Sequence, residues 1–239
     1  MIYRFPILSS TNDEAVKPAY REGDIIIAES QTAGRGQRGH TWESAEKQNL
    51  TFTLVLEPTF LAPEKQFLLS EAVALGMVDM LEEYGIVAQI KWTNDIYVGD
   101  RKLVGILIEH SLSSITLRRT IVGIGINVNQ TEFDPSIPNP VSMAQLLGRE
   151  FDLEEVLNCF LSHLQRNYAL LREEAKAELH ERYNVLLYRK NEFHTYALPS
   201  GEKFSAKIVG TAPSGALCLE NECGDRKYYL FKEVEFVIF

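Results

Sequence analysis

Apolar residues change their spacing several times along the chain, and each change predicts an element. Residues 2–8 are apolar and aromatic enough for a strand. Ser10, Thr11 and Asn12 then offer N-cap side chains, Asp13 and Glu14 suit a first helical turn, and Gly23 follows the expected helix end. Residues 24–29, centred on Ile25-Ile26-Ile27-Ala28, read as a short buried strand. From 30 to 48 apolar periodicity disappears and Gly, Gln, Arg and Ser accumulate. A loop of that length inside a compact domain is usually functional or disordered. Strand character resumes over 50–56. Residues 63–84 predict a long helix with Leu69, Val73, Met77, Met80, Leu81 and Tyr84 on one face and Gly85 as its stop.

Several strands follow in quick succession. Residues 90–92 and 96–98 come first, and Gly99-Asp100 makes a hairpin turn into 102–110, with a further strand over 120–128. Strands joined by tight turns predict a mixed or antiparallel sheet rather than alternating βα units. Asp152 and Glu155 resemble a capping box at the start of a helix over 153–172, and helical pattern runs on to about 187. After 192 the pattern becomes short strands around Pro199-Ser200-Gly201, Ser214-Gly215 and Cys223-Gly224-Asp225, which suits a small β-barrel. The expected division is a catalytic domain over 1–187 and a small C-terminal domain over 188–239.

With 45% apolar residues the chain can bury a sizeable core, which argues against disorder. Its net charge of −9 argues against a broad phosphate-tracking surface for nucleic acid, yet leaves room for a local basic pocket. No apolar run approaches the roughly 18–20 residues of a membrane helix, and Met1 leads directly into Ile2-Tyr3-Arg4-Phe5-Pro6 without a signal segment. A cytoplasmic protein without membrane association is expected. The three cysteines, Cys159, Cys218 and Cys223, cannot all pair within the chain and read as free thiols. The five histidines contain no His-x-x-x-His pair, so no helix-borne zinc site is expected.

The most informative stretch runs from Gln31 to Trp42: Gln-Thr-Ala-Gly-Arg-Gly-Gln-Arg-Gly-His-Thr-Trp. It carries Arg35, Arg38 and His40 and no acidic residue, within an acidic chain. Its glycines let backbone amides approach a ligand and form an anion-binding concavity, and the arginines add planar donors matched to carboxylate or phosphate. Gly34, Gly36 and Gly39 satisfy Gly-x-Gly-x-x-Gly, with Glu57 closing the next strand. A dinucleotide fold needs a helix directly after those glycines, however, and 38–49 has no helical apolar face. The near-match to a P-loop fails on His40, which stands where lysine is needed. Lys91-Trp92-Thr93-Asn94-Asp95 is a second candidate site. Lys91 on an otherwise apolar strand is either at a sheet edge facing water or paired with an anion. Asn94-Asp95 alone reads equally as a turn. Arg101 and Lys102 read as solvated hairpin charges.

Taken together, these residues resemble the biotin–protein ligases, also called biotin–acetyl-CoA-carboxylase ligases. The resemblance is carried by Ser10-Thr11-Asn12, by the Gln31–Trp42 stretch and by Lys91-Trp-Thr-Asn-Asp95. It continues through Lys102-Leu-Val-Gly-Ile-Leu-Ile-Glu109 and Gly123-Ile-Gly-Ile-Asn-Val-Asn129. It implies an α+β fold: a mixed-sheet catalytic domain of the class II aminoacyl-tRNA synthetase and biotin synthetase type, followed by an SH3-like barrel. It also implies a two-step reaction. Biotin's carboxylate attacks the α-phosphate of ATP to give biotinyl-5′-adenylate and pyrophosphate, and a lysine of a biotin carboxyl carrier domain then takes the acyl group and releases AMP. Mg²⁺ is expected on the phosphates.

By the same resemblance Ser10, Thr11, Asn12, Gln31, Arg35, Gly36, Gln37 and Lys91 would surround biotin. Arg35, Arg38, Trp42, Lys91, Asn94 and Asn127 would hold ATP and the adenylate, with Lys91 and Arg35 as the catalytic pair. No metal ligand is assigned, Asp95 being the one candidate. The chain departs from the family pattern at Gln37, where a second arginine is usual, at Thr93, where proline is usual, and at Val104 before Gly105. Some relatives carry an N-terminal winged helix and repress transcription; with the catalytic motifs starting at Ser10, the expectation is the short form with no DNA-binding role. A homodimer through an exposed strand edge is possible on the sequence. A lipoate–protein ligase and a non-catalytic biotin-binding module are the rival readings.

Overall fold

A computed structural model of the chain describes residues 1–37, 41–112, 115–172 and 175–238. Its architecture is α+β, built on two sheets. The larger has seven strands: β1 (Ile2–Leu8), β2 (Ile25–Gln31), β3 (Leu50–Leu56), β4 (Gln89–Lys91), β5 (Asp95–Val98), β6 (Arg101–Leu112) and β7 (Leu117–Ile126). Their order across the sheet is β1-β2-β3-β7-β6-β5-β4. Only β1 and β2 run parallel, so the sheet is mixed.

Strand alternation decides what each face of this sheet does. On β3, Leu50, Phe52, Leu54 and Leu56 join the main core, whereas Thr51, Thr53 and Val55 point to the other side. The main core is sealed by α2 (Phe67–Glu83), α4 (Leu153–Leu170) and α5 (Lys176–Val185). Helix α2 is buried almost all round, because α4 and α5 cover the side it turns away from the sheet. The opposite face holds a small second cluster, Ala15, Tyr20, Ile26, Val55 and Ile121, under α1 (Thr11–Ala15).

Three local expectations are corrected. The helix that starts after Ser10 ends at Ala15 instead of running towards Gly23. Pro18 has no amide to donate and disfavours helical backbone at Lys17. Helix 63–84 begins as a 3₁₀ turn over Pro63–Lys65 before α2. Asp152 caps α4 by accepting from the amides of Glu154 and Glu155, but the reciprocal capping box is found at α3 (Met143–Leu147), between Ser142 and Gln145.

The second sheet is antiparallel and has five strands: β8 (Phe193–Ala197), β9 (Lys203–Thr211), β10 (Leu217–Glu220), β11 (Arg226–Tyr229) and β12 (Glu235–Phe236). Their order is β11-β10-β9-β8-β12. The three predicted turns fall between β8 and β9, β9 and β10, and β10 and β11. This is the small SH3-like unit.

A buried polar contact ties the two sheets together. Glu71 on α2 is fully buried, and its Oε1 lies 2.5 Å from Nδ1 of His180 on α5, whose Nε2 is 3.1 Å from the carbonyl oxygen of Thr211 on β9. The hydrogen bond to Glu71 raises the His180 pKa above its usual 6.5, and burial raises that of Glu71 above 4.5. Both shifts have the same sign, so the native state binds more protons here than the unfolded chain. This contribution is therefore complete below the unfolded pKa values and is lost as pH rises through the folded ones. Stability measured by urea unfolding should fall as pH rises, from about 4.5 for the Glu71 share and from about 6.5 for the His180 share, and Glu71→Gln should flatten that slope. His180→Ala, which leaves a buried carboxyl without its partner, should cost about 3 kcal/mol.

Candidate active site

The side of the large sheet that the helices leave open carries the site. Here the strands are stripped of side chains: Gly105 on β6 pairs with Gly125 on β7, and Leu107 pairs with Gly123. A Cβ on Gly123 would collide with the Asn12 carboxamide, and one on Gly125 with the Trp42 indole. At Gly105 it would lie 2.7 Å from Trp42. Glycine inside a strand marks such close approach. A cavity of about 520 Å³ lies on this floor.

One end of the contact network presents uncharged polar groups, backed by an ion-paired cluster of Arg35, Glu109 and Asp13. The Thr11 amide and hydroxyl donate to Gln31 Oε1 at 2.7 and 3.1 Å. The Thr53 hydroxyl lies 2.8 Å from Thr11 Oγ1 and 2.7 Å from Asn12 Oδ1. Ser10 occupies the N-cap position of α1, yet its side chain makes no capping hydrogen bond, and it lines the cavity. Asn12 Nδ2 donates to Glu109 Oε2 at 2.9 Å. Glu109 in turn grips Arg35 through Nη2 at 2.6 Å and Nη1 at 3.2 Å, and Asp13 takes Nη1 at 2.8 Å. The Glu109 hydrogen bond, helped by Asp13, holds the Arg35 guanidinium above its usual pKa.

The other end is cationic and aromatic. Lys102 Nζ lies 2.9 Å from Asp95 and 5.9 Å from the centre of a Trp42 ring. Lys91 ends the edge strand β4, with its ammonium 5.1 Å from the Tyr97 ring centre and 5.3 Å from that of Phe236. Burial, then the nearby Asp95 charge, pushes the Tyr97 phenol up to about 12, so a neutral ring faces the lysine. Asn94 is buried, accepts a hydrogen bond from Gln37 Nε2 and donates to the Ile106 carbonyl at 2.5 Å. The Trp92 indole N–H donates to the Gly215 carbonyl at 2.9 Å, which docks the β9–β10 turn behind Lys91.

Most of the residues expected from the sequence meet around this one cavity: Ser10, Thr11, Asn12, Gln31, Arg35, Gly36, Gln37, Trp42, Lys91, Asp95 and Asn127 all line it. Asn94 supports it through Gln37. Arg38 and His40 lie outside the described residues. The stretch that bears them is closed at its base, where Arg35 bridges Thr41 and the Trp42 amide donates to the Gly34 carbonyl at 3.0 Å.

Lys102 is corrected from a solvated hairpin charge to a cavity cation, because β6 turns it towards Asp95 and Trp42. Glu109 and Thr53 were also missed. Each is a polar residue at an alternate position of an otherwise apolar strand, and that was the available signal. The walls from Phe133 to Pro140, and those from Phe231 to Phe236, carried no such signal.

A mixed sheet with helices on one face and a ligand cavity on the other, followed by an SH3-like unit, is the fold of the class II aminoacyl-tRNA synthetase and biotin synthetase type. Residues 5–127 match the biotin/lipoate A/B protein ligase family, and the chain belongs to that family. It is 32% identical to the bifunctional ligase/repressor BirA of Bacillus subtilis, over 93% of this chain and 70% of that protein. It is also 32% identical to the biotin–[acetyl-CoA-carboxylase] ligase of Paracoccus denitrificans, over 90% of this chain and 92% of that one. Among solved structures it is similar to the biotin protein ligase from Aquifex aeolicus in complex with biotin and ATP, with a TM-score of 0.84 and 28% identity, covering 99% of both chains.

Proposed function

We propose that this chain is an ATP-dependent biotin–protein ligase. It activates biotin as biotinyl-5′-AMP and transfers the acyl group to a lysine of a biotin carboxyl carrier domain of a carboxylase. The observation that carries this reading is the division of one cavity into a neutral polar end and a cationic end. A bicyclic urea requires uncharged donors and acceptors, which Ser10, Thr11, Asn12 and Gln31 offer. Bringing a carboxylate to a triphosphate opposes like charges, so the reacting end requires fixed cations, which Lys91 and Lys102 supply.

In the first step a biotin carboxylate oxygen bonds to the α-phosphorus as the bond to pyrophosphate breaks. Lys91 stabilises the charge that builds on the phosphoryl oxygens, and Trp42 provides an aromatic wall for adenine. In the second, the carrier's lysine amine attacks the acyl carbon, and AMP leaves with the electron pair of the mixed-anhydride bond. Arg35 and the glycine-rich stretch retain the adenylate between the steps and exclude water. Asp95 and Glu43 are the acidic residues of the cavity near the cationic end, with the Asp95 carboxylate 2.9 Å from the Lys102 ammonium. They would hold Mg²⁺, which neutralises phosphate charge when bound.

Residues 188–239 form a separate C-terminal domain in this reading, supported by β8–β12 pairing among themselves. A homodimer uses the open edge at β1, and the acidic balance favours a carrier domain over DNA as partner. Among the described residues no helix is long and apolar enough to cross a membrane, in keeping with a cytoplasmic enzyme.

Incubation with ATP, Mg²⁺, a carrier domain and either biotin or lipoate tests the reading by mass spectrometry of the carrier. Biotinyl transfer is expected; lipoyl transfer alone, or neither, overturns it.

A further inference from the structure

We propose that Glu83, Cys159 and His163 form a zinc-binding site where the end of α2 meets α4. The three candidate donor atoms all lie within 4.8 Å of one another. His163 Nε2 is already 2.7 Å from Glu83 Oε2. Cys159 and His163 stand four residues apart on α4, one helical turn, so both project from the same face. A search of the sequence for paired histidines misses this mixed pair. None of the three lines the catalytic cavity.

The chemistry selects the ion. A thiolate, an imidazole and a carboxylate form the borderline-soft N/S/O set that suits Zn²⁺, and exposed Glu83 leaves the fourth position to water. Tetrahedral zinc holds such donors roughly 3–4 Å apart, so the group needs to draw in by only about 1 Å. The helices that carry it are held closely: a Cβ on Gly76 of α2 would lie 3.0 Å from the Leu164 Cα on α4, next to His163. Burial and the Glu83 charge keep the Cys159 thiol protonated in the metal-free form. Zinc therefore displaces the thiol proton to solvent as the Zn–S bond forms, and affinity increases with pH. The Arg166 charge lies near both Glu83 and Cys159 and sets an opposing electrostatic cost. By joining the two helices, bound zinc stabilises the core that backs the large sheet, without entering the reaction.

The test uses the full chain without a tag, freed of metal, and Co²⁺ as the probe, followed by displacement with Zn²⁺. One equivalent of Co²⁺ should give four-coordinate visible bands and a near-ultraviolet sulfur-to-cobalt charge-transfer band. Cys159→Ser should abolish the charge-transfer band, and His163→Gln should weaken Zn²⁺ binding roughly a hundredfold. Cys223→Ser should change neither. Zn²⁺ should raise the melting temperature of the native chain but not of Cys159→Ser, while both melt alike in chelator. Absence of the charge-transfer band at saturating Co²⁺ overturns the proposal, as does its persistence in Cys159→Ser or unchanged Zn²⁺ affinity in His163→Gln.

Discussion

Lys91→Ala is expected to slow formation of biotinyl-5′-AMP roughly a thousandfold, the upper range for removing one preorganised electrostatic stabiliser. The loss should appear in kcat rather than in the KM for biotin, because the charge that Lys91 offsets builds up in the transition state. The ammonium sits over the Tyr97 and Phe236 rings and on an edge strand, so its removal opens no core. Lys91→Met, which keeps the stem and removes the charge, should be equally inactive and melt as the native chain does. Release of pyrophosphate from ATP, with biotin saturating, measures the step. Near-native turnover in Lys91→Met would assign the electrostatic role to Lys102 instead. The test therefore separates the two cations of the cavity.

Gly125→Val should abolish ATP binding while leaving the fold in place. A Cβ at this position meets the five-membered ring of Trp42, and the β3 and β6 neighbours on either side fix the backbone. The added side chain has no direction to take except into the cavity, so the indole must leave its place. Because valine suits a strand, β7 itself should not weaken. Calorimetric titration should show at least a hundredfold loss of ATP affinity, an energy of about 2.7 kcal/mol. Unchanged ATP affinity would mean that the Trp42 wall is dispensable for the nucleotide.

Much of this arrangement was legible in the chain. Ile25-Ile26-Ile27 reads as a strand buried on both faces, and Ile25 and Ile27 do lie in one core with Ile26 in the other. The turns at Gly99-Asp100, Ser214-Gly215 and Cys223-Gly224 fell where their φ demands predicted. The glycine-rich stretch and Lys91 announced themselves as charges without a packing reason.

Other features were hidden for identifiable reasons. Lys102 stands directly after a hairpin turn, and nothing local separates a solvated lysine from one that a strand's twist carries over a tryptophan. Glu109 acts on Arg35 across 74 residues of sequence. The contribution of Phe236 depends on how the second sheet docks, which the Trp92–Gly215 hydrogen bond and the Glu71–His180–Thr211 contact help to fix between distant segments. Such contacts are products of tertiary closure, and no window of the sequence contains both partners.

The glycine floor also decides where the work of binding falls. At Gly105, Gly123 and Gly125 the Trp42 indole and the Asn12 carboxamide rest directly on main chain that is locked into a seven-stranded hydrogen-bonded ladder. Such a base has little freedom left to lose, so it costs almost nothing to organise when a substrate arrives.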